Sequence, residues 1–311
     1  MKSADLLFSR DVVLKIGKRN GGGIMFKTQR IISNKLERNT NLMINFDIKK
    51  SVKDAVSTGT IEVNNVSRKT FEFLTDEVEN LQVELEVGHS SAENRERIFF
   101  ADIIDINFDN RRNGTILEIN AEEGLYLGKL GVLNKSYPPN TKMTEIVSDC
   151  KSVLTGLGLS DLKYFKVFSD LNKERNKAAK SVGNAGQDII AETILPNGFT
   201  ANESVLGVLN RLLRDKYNYK IYMSNNNLII AHPGAEIEDL GLVLSPKTGL
   251  IGSPKIINGR LKAKALIQPK AKLGSRIYVK NEDIDSEFII DDIAYSGSSL
   301  SGDYCMEIEA V

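Results

Sequence analysis

Apolar and polar residues alternate with a period of two through much of the first 125 residues. Leu42, Ile44, Phe46 and Ile48 alternate with Met43, Asn45 and Asp47. Val83, Leu85 and Val87 alternate with Glu84 and Glu86, and Ile104, Ile106 and Phe108 with Asp105 and Asn107. Leu117, Ile119 and Ala121 alternate with Glu118 and Asn120. Each run predicts a strand with one buried and one wet face. Between the last two runs, Asp109-Asn110-Arg111-Arg112-Asn113-Gly114 reads as a hairpin, because Asn-Gly accepts positive φ. Short antiparallel strands spaced by turns predict a small barrel or sandwich.

The period changes after Pro138-Pro139-Asn140. Met143, Ile146, Val147, Cys150, Val153, Leu154 and Leu157 recur at steps of three and four, which predicts a helix that stops near Gly156 and Gly158. Cys150 lies on its apolar stripe and reads as core. Residues 163–168 and 189–195 read as strands, with a polar, glycine-punctuated loop over 172–186. Thr200-Ala201-Asn202-Glu203 has the form of a capping box, and Val205, Leu206, Leu209, Leu212 and Leu213 mark a second amphipathic helix behind it. Residues 219–223 and 228–231 form a hairpin around Asn225-Asn226-Asn227. The rest is β: strands over 255–267 and 276–280, then a closing pair, 288–294 and 304–310, joined by the Gly/Ser-rich stretch 296–302. The order is β, helix, β, helix, β, with no visible internal repeat.

Composition narrows the function classes. A chain of 311 residues has room for two to four domains. Lys+Arg and Asp+Glu both number 41, a net charge of zero, which argues against a protein whose main work is gripping nucleic acid. Two cysteines, Cys150 and Cys305, make no disulfide framework. Two histidines, His89 and His232, are too few for the usual metal clusters. No apolar run is long enough to span a bilayer, so no membrane segment is expected. Asp5, Arg10 and Asp11 interrupt the start where a signal peptide needs an apolar stretch. The reading is a soluble protein made in a reducing cytoplasm.

The sequence carries none of the usual catalytic patterns. Gly21-Gly22-Gly23 lacks the spacing of a phosphate-binding loop and reads as a flexible loop or hairpin tip, and Gly131 to Ser136 lacks the second glycine. Asp102 with Asp105, Glu122 with Glu123, and Asp291 with Asp292 read as wet strand faces, since neighbours on a regular strand point to opposite sides. The run Asn281-Glu282-Asp283-Ile284-Asp285 lacks the glycine and final Glu of a calcium loop and reads as an exposed turn. His89, in Gly88-His89-Ser90-Ser91, and His232, before Pro233-Gly234, read as solvated turn residues. No catalytic residue, metal or cofactor is expected, and the chain reads as a non-enzyme. Lys262, Lys264, Lys270, Lys272, Arg276 and Lys280 crowd the last β region. Three readings compete for them: a solvated strand face with lysines blunting an edge, a subunit interface, or nucleic-acid contact.

The last third carries a resemblance. Ser245-Pro246-Lys247-Thr248-Gly249-Leu250-Ile251-Gly252-Ser253-Pro254 resembles the "TGLIGSP" stretch of phage baseplate hub proteins. The stretch from Ala265 through Pro269 and Gly274 to Ile277 resembles that family's "LLNP" element. The tail, from Phe288 through Tyr295, Gly297 and Gly302 to Tyr304, is similar to its closing hairpin, with Tyr295 where His is usual and Ser298 where Asp is usual. A helix start near Gly198 to Leu213 is also similar. These elements cover roughly the last 120 residues, and the first 125 match in architecture only.

The resemblance implies the hub that ends the tail tube of a contractile-tailed phage, similar to late-control protein D and to the N-terminal part of type VI secretion spike proteins. The fold it implies is mainly β with α+β insertions: two small antiparallel β-barrel domains of tube type plus a helix-containing α+β unit. The first barrel is expected at 1–125, the helical unit at 126–160 and 200–241, and a discontinuous second barrel at 161–199 and 242–311. The implied partners are two further copies in a trimer, a tail tube or distal tail protein, a central spike and a tape measure protein. DNA would pass through the lumen without specific binding, in a virion assembled in the bacterial host cytoplasm. Thr248, Gly249, Leu250, Ile251, Gly252, Ser253, Pro254, Pro269, Gly274 and Gly297 are the structural motif residues, with Leu250 and Ile251 buried in a rigid loop. Lys262, Lys264, Lys270, Lys272 and Arg276 are the candidate interface. The rival readings are a tail-associated peptidoglycan hydrolase and a host-binding β protein.

Overall fold

The structure, a computed structural model, describes residues 10–19, 22–27, 31–32, 35–36, 42–54, 56–75, 78–89, 95–111, 114–165, 189–232 and 238–311. It is mainly β and divides into two compact units. One contains the chain up to Glu123 together with Glu238–Val311, and the other contains Gly124–Ile237.

The first unit begins with β1 (Arg10–Lys18) and β2 (Gly23–Lys27), an antiparallel pair. Gly22 sits at φ 77° at its tip, and a Cβ on Gly23 would lie 2.5 Å from the Ile16 carbonyl oxygen. The glycine run is therefore a hairpin tip that needs glycine, although Gly21 falls outside the described residues. A two-rung ladder, β3 (Ile31–Ile32) and β4 (Lys35–Leu36), precedes β5 (Ile44–Ser51) and β6 (Thr58–Asn64). Helix α1 (Arg68–Thr75) leads to β7 (Leu81–His89), β8 (Glu96–Arg111) and β9 (Gly114–Glu122). On β5, β7 and β9 the apolar residues point inward as the period predicts. On β8 Ile106 and Phe108 are half-buried while Asp105 and Asn107 are exposed, again as the period predicts, but Ile104 breaks the series. A bulge between Ile103 and Asp105 makes Ile104 the extra residue, so the inward series runs Ala101 and Ile103 before it and Ile106 and Phe108 after it. Ile103 is buried and the expected core residue Ile104 is 48% exposed. β8 and β9 pair as far as Arg111 and Gly114, so the hairpin stands where Asn-Gly placed it. Residues 112–113 lie outside the described set.

The second unit runs through α2 (Leu125–Leu130), β10 (Val132–Tyr137), β11 (Thr141–Lys142), α3 (Met143–Gly156) and β12 (Asp161–Phe165). Helix α3 buries Met143, Ile146, Cys150 and Leu154, and the chain leaves it through Gly158 at φ 98°. Burial pushes the Cys150 thiol up to about 12, as expected of a core cysteine. The loop expected over 172–186 lies outside the described residues. Residues 189–195 form no continuous strand: α4 (Ile189–Glu192) is a single helical turn and β13 (Ile194–Leu195) two residues. The capping box is also displaced. Residues 199–204 form β14 (Phe199–Ser204), paired along β10, and the helix starts one residue after the box. The cap of α5 (Val205–Leu209) is Ser204, whose hydroxyl accepts the Gly207 N–H at 3.1 Å. A π turn, Asn210–Arg214, continues the helix and keeps Leu212 and Leu213 inward. β15 (Lys220–Ser224) and β16 (Asn227–Ala231) form the expected hairpin, with Asn225 at φ 52° and Asn226 at φ 63°. β12 pairs in parallel with β16. The strand at the head of the 161–199 segment therefore belongs with this hairpin, within the second unit, and not with the later strands.

The chain then returns to the first unit with β17 (Glu238–Leu244), β18 (Leu250–Ile257), β19 (Arg260–Leu266), β20 (Ser275–Lys280), β21 (Asp285–Ser298) and β22 (Tyr304–Ala310). The expected single strand over 255–267 is a hairpin: Asn258 at φ 52° and Gly259 at φ 76° turn the chain between β18 and β19. The sheet order is β18-β19-β22-β21-β5-β6-β9-β8-β7-β1-β2, with β20 beside β21 and β17 beside β20. The N- and C-terminal segments are thus stitched together where β21 pairs with β5, from Asp292 and Ser51 to Ser298 and Asn45. Large and mainly antiparallel, the sheet forms no closed barrel among the described residues.

Candidate interaction surface

The motif from Ser245 to Pro254 is a turn followed by an edge strand. The Thr248 hydroxyl accepts the Ser245 N–H at 2.8 Å and donates to the Val243 carbonyl at 2.6 Å. Gly249 sits at φ 102°, with Leu266 3.1 Å from where a Cβ would be, and its carbonyl accepts the Leu266 N–H at 2.8 Å. Leu250 is buried as expected, but Ile251 is 40% exposed. The reason is local: the chain is already extended here, so successive side chains face opposite ways. β18 ends the sheet, so Pro254 costs no ladder hydrogen bond on its outer side. A bulge between Ile251 and Lys255 holds Gly252 and Ser253 out in solvent.

The closing hairpin is packed by aromatic groups. A Cβ on Gly297 would lie 2.6 Å from Phe46 Cζ and 3.0 Å from Tyr304 Cδ2. Tyr295 is buried and its hydroxyl donates to the Ala271 carbonyl at 2.7 Å. The Tyr304 hydroxyl donates to the Gly88 carbonyl at 2.9 Å. His89 is buried, not solvated: its Nε2 lies 2.7 Å from the Ile267 carbonyl and its ring stands edge-on to Tyr304. The end of β7 is covered by the far C-terminal strand, which no local pattern around His89 announces. His232 is half-buried and edge-on to Tyr219, so it too differs from the solvated reading, and Pro233-Gly234 lie outside the described residues. Pro269 is buried, and Gly274, at φ 75°, donates its N–H to the Ile290 carbonyl at 2.8 Å.

The charged residues are paired across strands. Lys262 meets Glu309 at 2.5 Å, Lys264 meets Glu307 at 3.3 Å, and Arg276 meets Glu287 at 3.5 Å. Lys270 and Lys272 lie on the connection between β19 and β20. Asp291 and Asp292 were expected on opposite faces, yet a bulge between Ile290 and Asp292 lets Arg260 hold both, at 3.1 and 3.2 Å. Glu123 is no wet-face residue: it is fully buried and paired at 2.9 Å with Lys50, itself buried. Asp102 is buried too, paired with Arg19 at 2.5 Å, whereas Asp105 is exposed beyond the β8 bulge. The 281–285 run is a turn in which Asn281 Oδ1 accepts the Ile284 N–H at 2.7 Å. Among the described residues no group of three or more His, Cys, Asp or Glu side chains could hold a metal ion.

Residues of β18, β19, β22, β21, β5 and β6, both charged and apolar, line a cleft of about 1130 Å³. It contains Lys262 and Lys264 from the candidate interface. It also contains Glu307, Glu309 and Asp292, which the sequence reading left out. Their signal was present: Glu307 and Glu309 alternate with Met306 and Ile308 on the closing strand, and so face the same side as the lysines opposite.

No helix among the described residues is long and apolar enough to cross a membrane. No curated protein matches the chain. Among solved structures it is similar to a tail protein from Neisseria meningitidis MC58, with a TM-score of 0.59 and 8% identity over 97% of this chain and 96% of that one. It is similar to the 43 kDa tail protein of prophage MuSo2 from Shewanella oneidensis, with a TM-score of 0.54 and 12% identity over 97% of each chain. The E. coli c3393 protein, a type VI secretion component described as structurally similar to T4 tail proteins gp27 and gp5, gives a TM-score of 0.55 and 11% identity. That likeness covers 88% of this chain and 75% of the other. At such identities the likeness is one of fold. Residues 24–310, by contrast, match a family as such, described as Baseplate hub gp41, and the chain belongs to that family of phage baseplate hubs.

Proposed function

We propose that the protein is a structural hub of a phage tail, assembled as a trimeric ring between a hexameric tail tube and a trimeric central spike, with DNA passing through its lumen. The family match across residues 24–310 carries this reading. The strands up to Glu122 and those from Glu238 supply the two tube-type β domains, so that three subunits offer six near-equivalent units to the tube. The candidate contact between subunits is the β18 edge beside the lysine-bearing strand β19. Supporting it, β18 terminates the sheet and exposes Ile251, Ile256 and Ile257, an arrangement that unpartnered soluble sheets avoid. Cryo-electron microscopy of purified tails tests the assignment: threefold density that fits this chain is expected at the joint of tube and spike. Tails that lack the protein, or that hold it away from the tube axis, would overturn it.

A further inference from the structure

Strand β18 carries a like-charge contact that the chain itself does not resolve. In the β18–β19 register Lys255 lies directly opposite Lys262, and like charges so placed destabilise a sheet. Lys262 is answered on its other side by Glu309, directly opposite it on β22. Lys255 is exposed on the edge strand and has no carboxylate partner among the described residues. Both lysines line the cleft, whose six lysines face four carboxylates. With Lys50 taken up by the buried Glu123, the remaining five lysines still outnumber the carboxylates.

The complementary feature lies on the same unit. The turn between β20 and β21 carries Glu282 and Asp283, both exposed and neither paired with a cation among the described residues. Its nearest lysine, Lys280, pairs with Asp285 at 3.8 Å. Seven residues of β21 separate Asp285 from the cleft residue Asp292, about 20 Å of extended chain. The ladder between β20 and β21 holds the turn out at that distance, so it does not reach the cleft of its own chain.

Two complementary patches that do not meet within one chain can meet between two. We propose that Glu282 and Asp283 of one copy dock in the lysine cleft of the next, where they answer Lys255 and Lys262. The two patches differ, so the contact is head-to-tail and repeats around a ring. Ile251, exposed and lining the cleft, adds apolar surface beside the charges. The proposal rests on the ring reading above and names the surfaces that close the ring.

The test is zero-length carbodiimide coupling of purified tails, which joins a lysine to a carboxylate only where they touch, followed by mass spectrometry of the linked peptides. The expected product joins Lys255 or Lys262 to Glu282 or Asp283 and comes from dimer and trimer bands. Coupling of Lys262 to Glu309, in contact at 2.5 Å within the chain, reports that the reagent enters the cleft. Tails that give this internal product but no link from the cleft to the turn would overturn the proposal. So would a link from Lys255 to another tail protein. Charge reversal gives an independent reading. Lys255→Glu and Asp283→Lys should each lower incorporation of the protein into tails by about tenfold or more, since like charges across an interface repel. Combined in one chain they restore the attraction and should bring incorporation back to within about threefold of the parent. Single variants that assemble like the parent, or a combined variant no better than they are, would overturn the proposal. Each of these failures leaves the hub assignment standing, because threefold density in the parent's tails is a separate observation.

Discussion

Lys50 and Glu123 show how a residue can be legible in position and misread in role. Lys50 continues the inward series Ile44, Phe46, Ile48, and Glu123 continues Leu117, Ile119, Ala121. Period two alone puts both on the buried face, but a charged side chain reads as wet until its partner is known. Here they bury each other at 2.9 Å, with the Phe99 ring close to the Lys50 ammonium. A buried pair contributes little net stability, because desolvation offsets the attraction, yet removing one partner strands the other charge. Glu123→Leu or Lys50→Met alone should cost about 3–5 kcal/mol in urea unfolding. The double variant should cost much less than the sum of the two. Strictly additive losses would mean that the two charges are not coupled.

Among elements, those that rest on local chemistry were readable. The α3 stripe, the β15–β16 hairpin and the alternation of β5, β7 and β9 follow from spacing and turn residues alone. Bulges escaped, because one inserted residue changes facing without changing composition. That is why Ile104 is exposed and why Asp291 and Asp292 share Arg260. The Asn258-Gly259 pair is a turn signal, but it stands inside a run of strand formers. The start of α5 is the sharpest case. Thr200 and Glu203 have capping-box chemistry, but pairing with β10 keeps both in extended backbone, and Ser204 does the capping. Ser204→Ala should therefore destabilise the protein by about 1 kcal/mol, the usual loss for a missing cap. Thr200→Ala, on an exposed strand position, should change stability by less than about 0.5 kcal/mol. Thermal or urea unfolding of the two variants decides between the positions. A larger loss at Thr200 would restore the capping-box reading.

At the scale of the whole molecule the decisive pairings join residues far apart in sequence, and no local pattern encodes them. β5 needs β21: Ile44 donates its N–H to Ser299 Oγ at 2.9 Å, Gly297 packs on Phe46, and Arg10 reaches the Ser298 carbonyl at 2.7 Å. A fragment of residues 1–123 would keep β5 with a bare edge and would lack the strand that covers it, a state prone to aggregation. The segment inserted between β9 and β17 is different. Its core is its own: Met143, Ile146, Cys150, Val208, Leu209, Leu213, Tyr219 and Ile230 pack in one cluster drawn wholly from Gly124–Ile237. Residues 124–237 expressed alone should therefore melt cooperatively and keep the near-ultraviolet circular dichroism of a buried Tyr219. Residues 1–123 should be insoluble alone and recover solubility when co-expressed with residues 238–311. These opposite outcomes follow from one topology, in which a self-contained unit interrupts a sheet built from both ends of the chain. An unfolded 124–237 fragment, or a 1–123 fragment that folds without its C-terminal strands, would show that the division into units is wrong.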